Sequence, residues 1–358
     1  MISITIFLYI FLSFLCICAE QQKPTVSLKF LHQINIPINS TNISFPLLAY
    51  IGKQEFISYI SYHSHSLEFV ELPSLKKQSI SFQSKQNFPY SHFPVSKDSI
   101  ILCYQIEGEW GKFPSLMDKT GNIIKEYSQI KQVAEDGKIL FYPHLMPTYI
   151  SAEYLYATIN LFDYPRNRDY FSVPHKFISK TNLINGETTF APIQYPQSYQ
   201  GHLWRENLEW CLGKNGEIVY SFPASSFLVI QDTLISTKLY KANSIRIDTI
   251  KPLASWEDLE VKISYMRNTP FYKEVIYDKY RNLYYRIAKY ANADKDKAKY
   301  SLIVLNDAFT KLGEVDFPFD MVNDKRSVPL ISKEGIYFRY LDVPNNQLSF
   351  KVYQVLVD

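Results

Sequence analysis

Short runs of alternating or continuous apolar residues, separated by polar turns, recur along almost the whole chain. The same unit returns six times: a polar turn, then a strand-like apolar run. Its instances begin at Gln54 (Gln54–Ile60), Asp98 (Asp98–Tyr104), Asp136 (Asp136–Tyr142), Asn215 (Asn215–Phe222), Arg281 (Arg281–Ile287) and Glu334 (Glu334–Tyr340). The last two align closely, Asn282-Leu283-Tyr284-Tyr285-Arg286 against Gly335-Ile336-Tyr337-Phe338-Arg339. Alternation over four to eight residues predicts half-buried strands, and the intervening Asn-Gly and Asn-Asp pairs predict tight hairpins.

The six starts are about 56 residues apart on average, in the range of a four-stranded propeller blade. The pattern therefore predicts an all-β chain folded as a six-bladed β-propeller. Two alternatives stay open: a seventh blade hidden in the long gap between Asp136 and Asn215, or another large all-β fold. Within that gap the stretch from Tyr149 to Tyr170 reads as an insertion in the third blade. The run Val26–Leu31 near the start and the run Leu348–Val355 near the end predict a ring closed by an N-terminal strand, which removes an exposed sheet edge.

Met1–Ala19 carries no charged side chain, and Ile4–Ala19 is almost wholly apolar before Glu20-Gln21-Gln22-Lys23-Pro24 ends the run. About 16 apolar residues fall short of the roughly 20 that span a bilayer, and they suit the core of a secretory signal. The expected division is a signal peptide over 1–19 and one β-propeller domain over 20–358, exported to the periplasm or cell envelope. Ile17 and Ala19 suit cleavage after Ala19. Cys16 and Cys18 raise lipid anchoring as an alternative, although Leu15 and Ile17 stand where a lipobox places a small residue.

Composition adds to this picture. The chain has 358 residues with 28 Tyr and 24 Phe, an aromatic share that fits pleated surfaces better than helices. The net charge of +3 is spread thinly, with no Lys/Arg block to track phosphates, so nucleic acid is not an expected partner. Outside the signal only Cys103 and Cys211 remain. They allow one disulfide, but their apolar setting in separate blades reads as two free core thiols.

Two segments carry a family resemblance: Tyr277–Ile287 (YDKYRNLYYRI) and Gly216–Pro223 (GEIVYSFP). They resemble an uncharacterised group of exported bacterial proteins, a domain of unknown function placed with the six-bladed, TolB-like propellers. The resemblance implies a six-bladed ring and no established activity, so it assigns no catalytic residue. Many members of that group look like lipoproteins.

In a propeller, the loops between second and third strands share one face with the blade-to-blade connections. That placement nominates His63, His65, Glu107, Glu109, Trp110 and His144, with Glu153, His202 and Trp204 nearby. His63-Ser64-His65 alternates as a strand does, and with His144 and a carboxylate it suggests a divalent metal; scattered histidines meet this way by chance, and no metal is assigned. Arg286 and Arg339, at equivalent repeat positions, read either as anion-binding groups or as structural partners of carboxylates such as Asp278 and Asp342. Tyr277, Tyr280, Tyr284 and Tyr285 read as packing between blades or as a stacking platform. Trp110 and Trp204, in loop-like sequence, read as exposed ligand contacts. There is no Gly-x-Ser-x-Gly, His-Glu-x-x-His, phosphate loop or Cys-x-x-Cys pair after the signal. The expected role is a monomeric, non-enzymatic binding module for a protein, peptide or glycan, with no cofactor; the alternative is an envelope enzyme acting on glycans, or a metal-assisted hydrolase or lyase.

Overall fold

The computed structural model describes residues 25–358 apart from 45, 52–53, 83–88, 97–98, 107–108, 128–132, 135–136, 141–147, 152, 162–167, 206–207, 233–236, 291–298, 318–328 and 343. Its strands form six antiparallel sheets, the blades of a six-bladed propeller. Blade one is built from Leu47–Ile51, Gln54–Ser61, Ser66–Leu72 and Lys77–Ser81. Blade two is built from Pro89–Ser96, Ser99–Ile106, Glu109–Asp118 and Ile123–Glu126. Blade four holds Glu209–Leu212, Ile218–Ser221, Phe227–Gln231 and Thr237–Lys241, and blade five holds Phe271–Asp278, Leu283–Tyr290, Lys299–Asn306 and Lys311–Asp316.

Blade three departs from the simple repeat. Counted inward from its outer edge, it runs Thr188–Ile193, His175–Asn182 and Tyr154–Leu161. Both Gly137–Leu140 and Thr148–Ser151 pair with the inner side of Tyr154–Leu161, and Val133–Ala134 adds a short hairpin. Two expectations are corrected here. The repeat at Asp136 leads into an inner strand, and the blade's second strand is Tyr154–Leu161. Within the stretch read as an insertion, residues 149–151 and Tyr154–Leu161 are therefore strands of the blade. An Asp-Gly turn ahead of apolar residues signals any hairpin, so it marked the wrong strand of the blade.

Blade six is completed across the chain ends. Leu330–Ile331, Ile336–Asp342 and Gln347–Val357 are joined by the N-terminal strand Val26–Pro37, in a ladder from Val26↔Val357 to Pro37↔Gln347. The closure predicted from the terminal apolar runs is present.

The core lies in the seams between blades. Six clusters of buried side chains occupy six seams, and the one holding Ile34, Ile36, Tyr337 and Phe350 with Ile57, Tyr59 and Val70 joins blade six to blade one. The aromatic excess is spent here. Tyr284 is fully buried between blades four and five, its ring 4.8 Å from that of Tyr277 and 4.5 Å from that of Phe309. Tyr285 faces the next seam and donates to Asp278 at 2.8 Å.

A helix, Leu259–Asn268, interrupts the connection from blade four to blade five. The Asp258 carboxylate caps it, accepting from the Glu260 and Val261 amides at 3.0 and 3.1 Å. Its last carbonyls, of Met266 and Arg267, accept from Lys289 Nζ of blade five at 3.2 and 2.7 Å. No helix among the described residues is long and apolar enough to cross a membrane.

Candidate functional site

The first strands of neighbouring blades approach one another at the centre of the ring and so form the channel wall. On what we call the upper face, the chain enters each first strand from a blade-to-blade connection. The sequence-nominated residues that the structure describes do not converge on this face. His63 is exposed and His65 half-buried in the turn after Gln54–Ser61, and His65 has a φ of 50°. They stand in a tight turn, which corrects the strand-like alternation read from their spacing. Glu107 and His144 lie outside the described residues. Trp110 and Glu109 lie in the strand Glu109–Asp118, with side chains outside the described set. Among the described residues, no three His, Cys, Asp or Glu side chains gather as metal ligands.

Trp204 is 6% exposed, not an open contact. Its indole donates to the Tyr199 carbonyl at 3.1 Å and packs on the Tyr199 ring, inside the large aromatic cluster between blades three and four. A loop Trp flanked by polar residues reads as exposed. Here the connection folds inward, because the indole buries more apolar area than its neighbours cost. His202 stays exposed beside it, with ring centroids 6.1 Å apart, and Glu153 is exposed in a turn between the first and second strands of blade three, on the opposite face.

Arg286 is fully buried. It reaches from blade five into blade four: Nε donates to Ser221 Oγ at 2.9 Å, Nη1 to the Ala242 carbonyl at 3.0 Å, and Nη2 to the Phe222 and Ser225 carbonyls at 3.1 and 2.8 Å. The guanidinium lies 3.8 Å over the Tyr272 ring. Burial pulls its pKa down to about 10, so it keeps its charge at neutral pH. This geometry is an inter-blade clamp built on carbonyls, not on the carboxylate pairing considered from sequence. Asp278 instead takes Arg281 at 2.8 Å, and Arg281 also donates to the Ser332 and Lys333 carbonyls of blade six. Arg339 is half-buried in the second strand of blade six, opposite Phe350. Cys211 is a free, buried thiol in the first strand of blade four, and burial raises its pKa above the usual thiol range.

Concentrated polarity appears where sequence reading did not look, at the upper end of the channel wall between blades four and five. Glu209 begins the first strand of blade four. Lys273 and Glu274 sit on the first strand of blade five, where the register jumps from Tyr272↔Ala288 to Val275↔Arg286. Two residues thus oppose the single Ile287, a β-bulge that breaks the alternation and re-aims both charged side chains. Lys273 Nζ meets Glu274 Oε1 at 3.0 Å. Glu274 is 7% exposed, and its Oε2 is buried with no hydrogen-bond partner among the described residues. Arg205, on the incoming connection, lies 4.0 Å over the Phe271 ring. It also lines a shallow pocket, open to solvent, with Pro223, Ala224, Tyr265, Thr269 and Phe271.

The electrostatics follow from this packing. Desolvation first, and the neighbouring Glu274 second, raise the Glu209 carboxyl to about 8, against the opposing pull of Lys273 and Arg205. Burial alone would lower Lys273, but Glu274 holds it above its usual value. Burial lowers Arg205. Because folding raises the Glu209 pKa above its unfolded value near 4.5, the native state holds a proton that the unfolded state releases. Stability from this group is therefore lost as pH rises from about 4.5 to about 8. Glu209→Gln is expected to gain stability relative to the parent as pH is raised from 5 to 8, measured by urea denaturation at both values. An equal difference at the two pH values would contradict the assignment.

The only sequence signal for this site was Lys273-Glu274, two adjacent charges inside an otherwise strand-like run. Comparison with known proteins places the fold. A family described as a domain of unknown function (DUF4221) matches residues 112–316. The crystal structure of a DUF4221 member from Bacteroides vulgatus superposes with a TM-score of 0.75 at 19% identity, covering 94% of this chain and all of that one. A Bacteroides fragilis protein described as exported gives 0.48 at 9% identity over 95% of this chain and 96% of its own. Regucalcin from Agrobacterium tumefaciens, a calcium-binding protein, gives 0.44 at 10% identity, with coverages of 90% and 93%. The solved structures that match include binding proteins and enzymes with no activity in common. No protein with curated function matches the chain.

Proposed function

The chain belongs to the DUF4221 family, a domain of unknown function, and from that premise we propose that it is a non-enzymatic binding propeller of the cell envelope. It is exported by the segment 1–19 and presents its upper face to a protein, peptide or glycan. The observation that carries this reading is the mouth of the channel between blades four and five. There Glu209, Lys273 and Glu274 crowd the upper ends of two neighbouring first strands, and Arg205 on the incoming connection lines a shallow pocket open to solvent. Rigid strands position the group, as a preformed binding site requires.

The test is a footprint. Purified protein is screened against a random-peptide display library and an oligosaccharide array, and the best binder is added during hydrogen–deuterium exchange. Protection of amides in 205–212 and 271–275 is the expected result. Protection confined to the opposite face, or turnover of the bound oligosaccharide, would overturn the reading in favour of a different site or of an enzyme.

A further inference from the structure

Asn-Gly occurs in the chain at Asn185-Gly186 and at Asn215-Gly216. Both pairs stand in hairpin turns on the face opposite the channel mouth, in blades three and four. An asparagine before glycine is able to cyclise, because no Cβ hinders the approach of the glycine nitrogen. That nitrogen attacks the asparagine Cγ and a C–N bond forms. The bond from Cγ to the side-chain nitrogen breaks, and ammonia leaves with the proton of the glycine amide. Water then opens the cyclic imide. Opening at Cγ gives aspartate, and opening at the backbone carbonyl gives isoaspartate, whose main chain runs through Cβ and Cγ.

The structure separates the two sites. At the first, both reacting groups are held: Gly186 N–H donates to the Asn182 carbonyl at 2.8 Å, and Asn185 Oδ1 accepts from the Glu187 amide at 2.9 Å. At the second they are freer. Asn215 and Gly216 are both exposed, and the Asn215 side chain makes no hydrogen bond among the described residues. Gly216 N–H donates to the Gly213 carbonyl at 3.2 Å, the long end of the range for such a bond. Gly216 has a φ of 82°, and beyond its chain neighbours no heavy atom lies within 4 Å of a Cβ placed there, so the ring has room to close.

The contacts of this turn decide what conversion does. The Asn215 amide donates to Glu217 Oε2 at 2.8 Å. Glu217 Oε1 accepts from the Tyr284 hydroxyl of blade five at 2.8 Å, and the Lys214 amide donates to the same hydroxyl at 3.0 Å. Lys214 Nζ pairs with Asp307 of blade five at 3.0 Å. The turn is thus a latch from blade four to blade five, at the end of their seam away from Glu209. Isoaspartate lengthens the main chain inside the latch, and either product adds a negative charge near the Glu217 carboxylate, a like-charge approach.

We propose that Asn215 is a site of spontaneous deamidation, and that its conversion loosens the latch between blades four and five.

The full chain is aged in mildly alkaline and in mildly acid buffer. Peptide mapping by mass spectrometry follows both Asn-Gly pairs, with electron-transfer fragmentation to tell isoaspartate from aspartate. In alkaline buffer the peptide holding Asn215 is expected to show the mass gain of amide-to-acid conversion at least tenfold faster than the peptide holding Asn185. The aged protein is expected to unfold at lower urea than the fresh protein, while Asn215→Ser, aged alongside, keeps its midpoint. That variant removes no hydrogen bond of the native turn. Conversion of Asn185 first, or of neither residue, overturns the site. Conversion of Asn215 with an unchanged midpoint, or an equal fall in aged Asn215→Ser, overturns the loosening of the latch.

Discussion

Removing residues 25–37 is expected to leave a chain that no longer unfolds in a single cooperative transition. This strand is the outer strand of blade six, paired along its length with Gln347–Val357. Without it, a long apolar strand near the other chain end becomes an open edge, a template for aggregation. Its loss also empties the seam that closes the ring, because Ile34 and Ile36 are buried there against side chains of blades one and six. Burial of two such side chains stabilises by about 3–6 kcal/mol. The whole stability of a domain is about 5–15 kcal/mol, so the seam alone accounts for a large share before any ladder hydrogen bond is counted. Circular dichroism during urea unfolding, with light scattering for aggregation, reads the outcome. Ile36→Asp gives the same test without truncation, by placing an unpaired charge at a position only 2% exposed. A truncated chain with an unchanged, cooperative transition would show that the ring is held by the other seams alone.

Arg286→Met is expected to cost about 3–5 kcal/mol, the range for breaking a buried charged network from one side. Methionine fills similar volume, so cavity formation is not the main term. The loss comes from Ser221 Oγ and the carbonyls of Phe222, Ser225 and Ala242, all left without the donors they have in the native seam. Arg286→Lys should recover only a small part. An ammonium is one compact centre and cannot span four acceptors set out for a planar fork. Urea midpoints for the three proteins measure this, and a cost under 1 kcal/mol for Arg286→Met would remove the clamp from the account.

Much of this architecture can be read in the chain before any coordinates. Five of the six repeat instances fall on second strands of blades, because a second strand is buried on both faces and its apolar run is dense: Leu283–Tyr290 and Ile336–Asp342 are the clearest. The closure was legible for the same reason, since a strand that completes a blade carries strand-like alternation of its own. Blade three was misregistered because Asp136-Gly137 has the composition of any hairpin turn, and turn chemistry does not say which strand follows. The helix Leu259–Asn268 passed unnoticed although Asp258 is a good N-cap, since no helix periodicity accompanies it and none of its residues is buried.

The candidate site was less legible, and the reason is spatial. Glu209 and Glu274 belong to different blades and meet only because first strands converge on the channel. Neither carries a motif. The histidines drew the eye because their residue type is chemically rich, yet His63 and His65 sit in an ordinary tight turn. Arg286 stands out in the sequence by its repeat equivalence with Arg339, which leaves anion binding and carboxylate pairing both open. What held it, a ring of carbonyls from the neighbouring blade, lies beyond what spacing can show.

The most direct test of the account sets the channel mouth against the histidine loop on the opposite side of the ring. Binding of the best peptide or oligosaccharide from the screen is measured by calorimetry for Arg205→Met and for the double variant His63→Ala/His65→Ala. Binding lost at least tenfold in the first and kept in the second is the predicted result; binding kept in the first and lost in the second would contradict it.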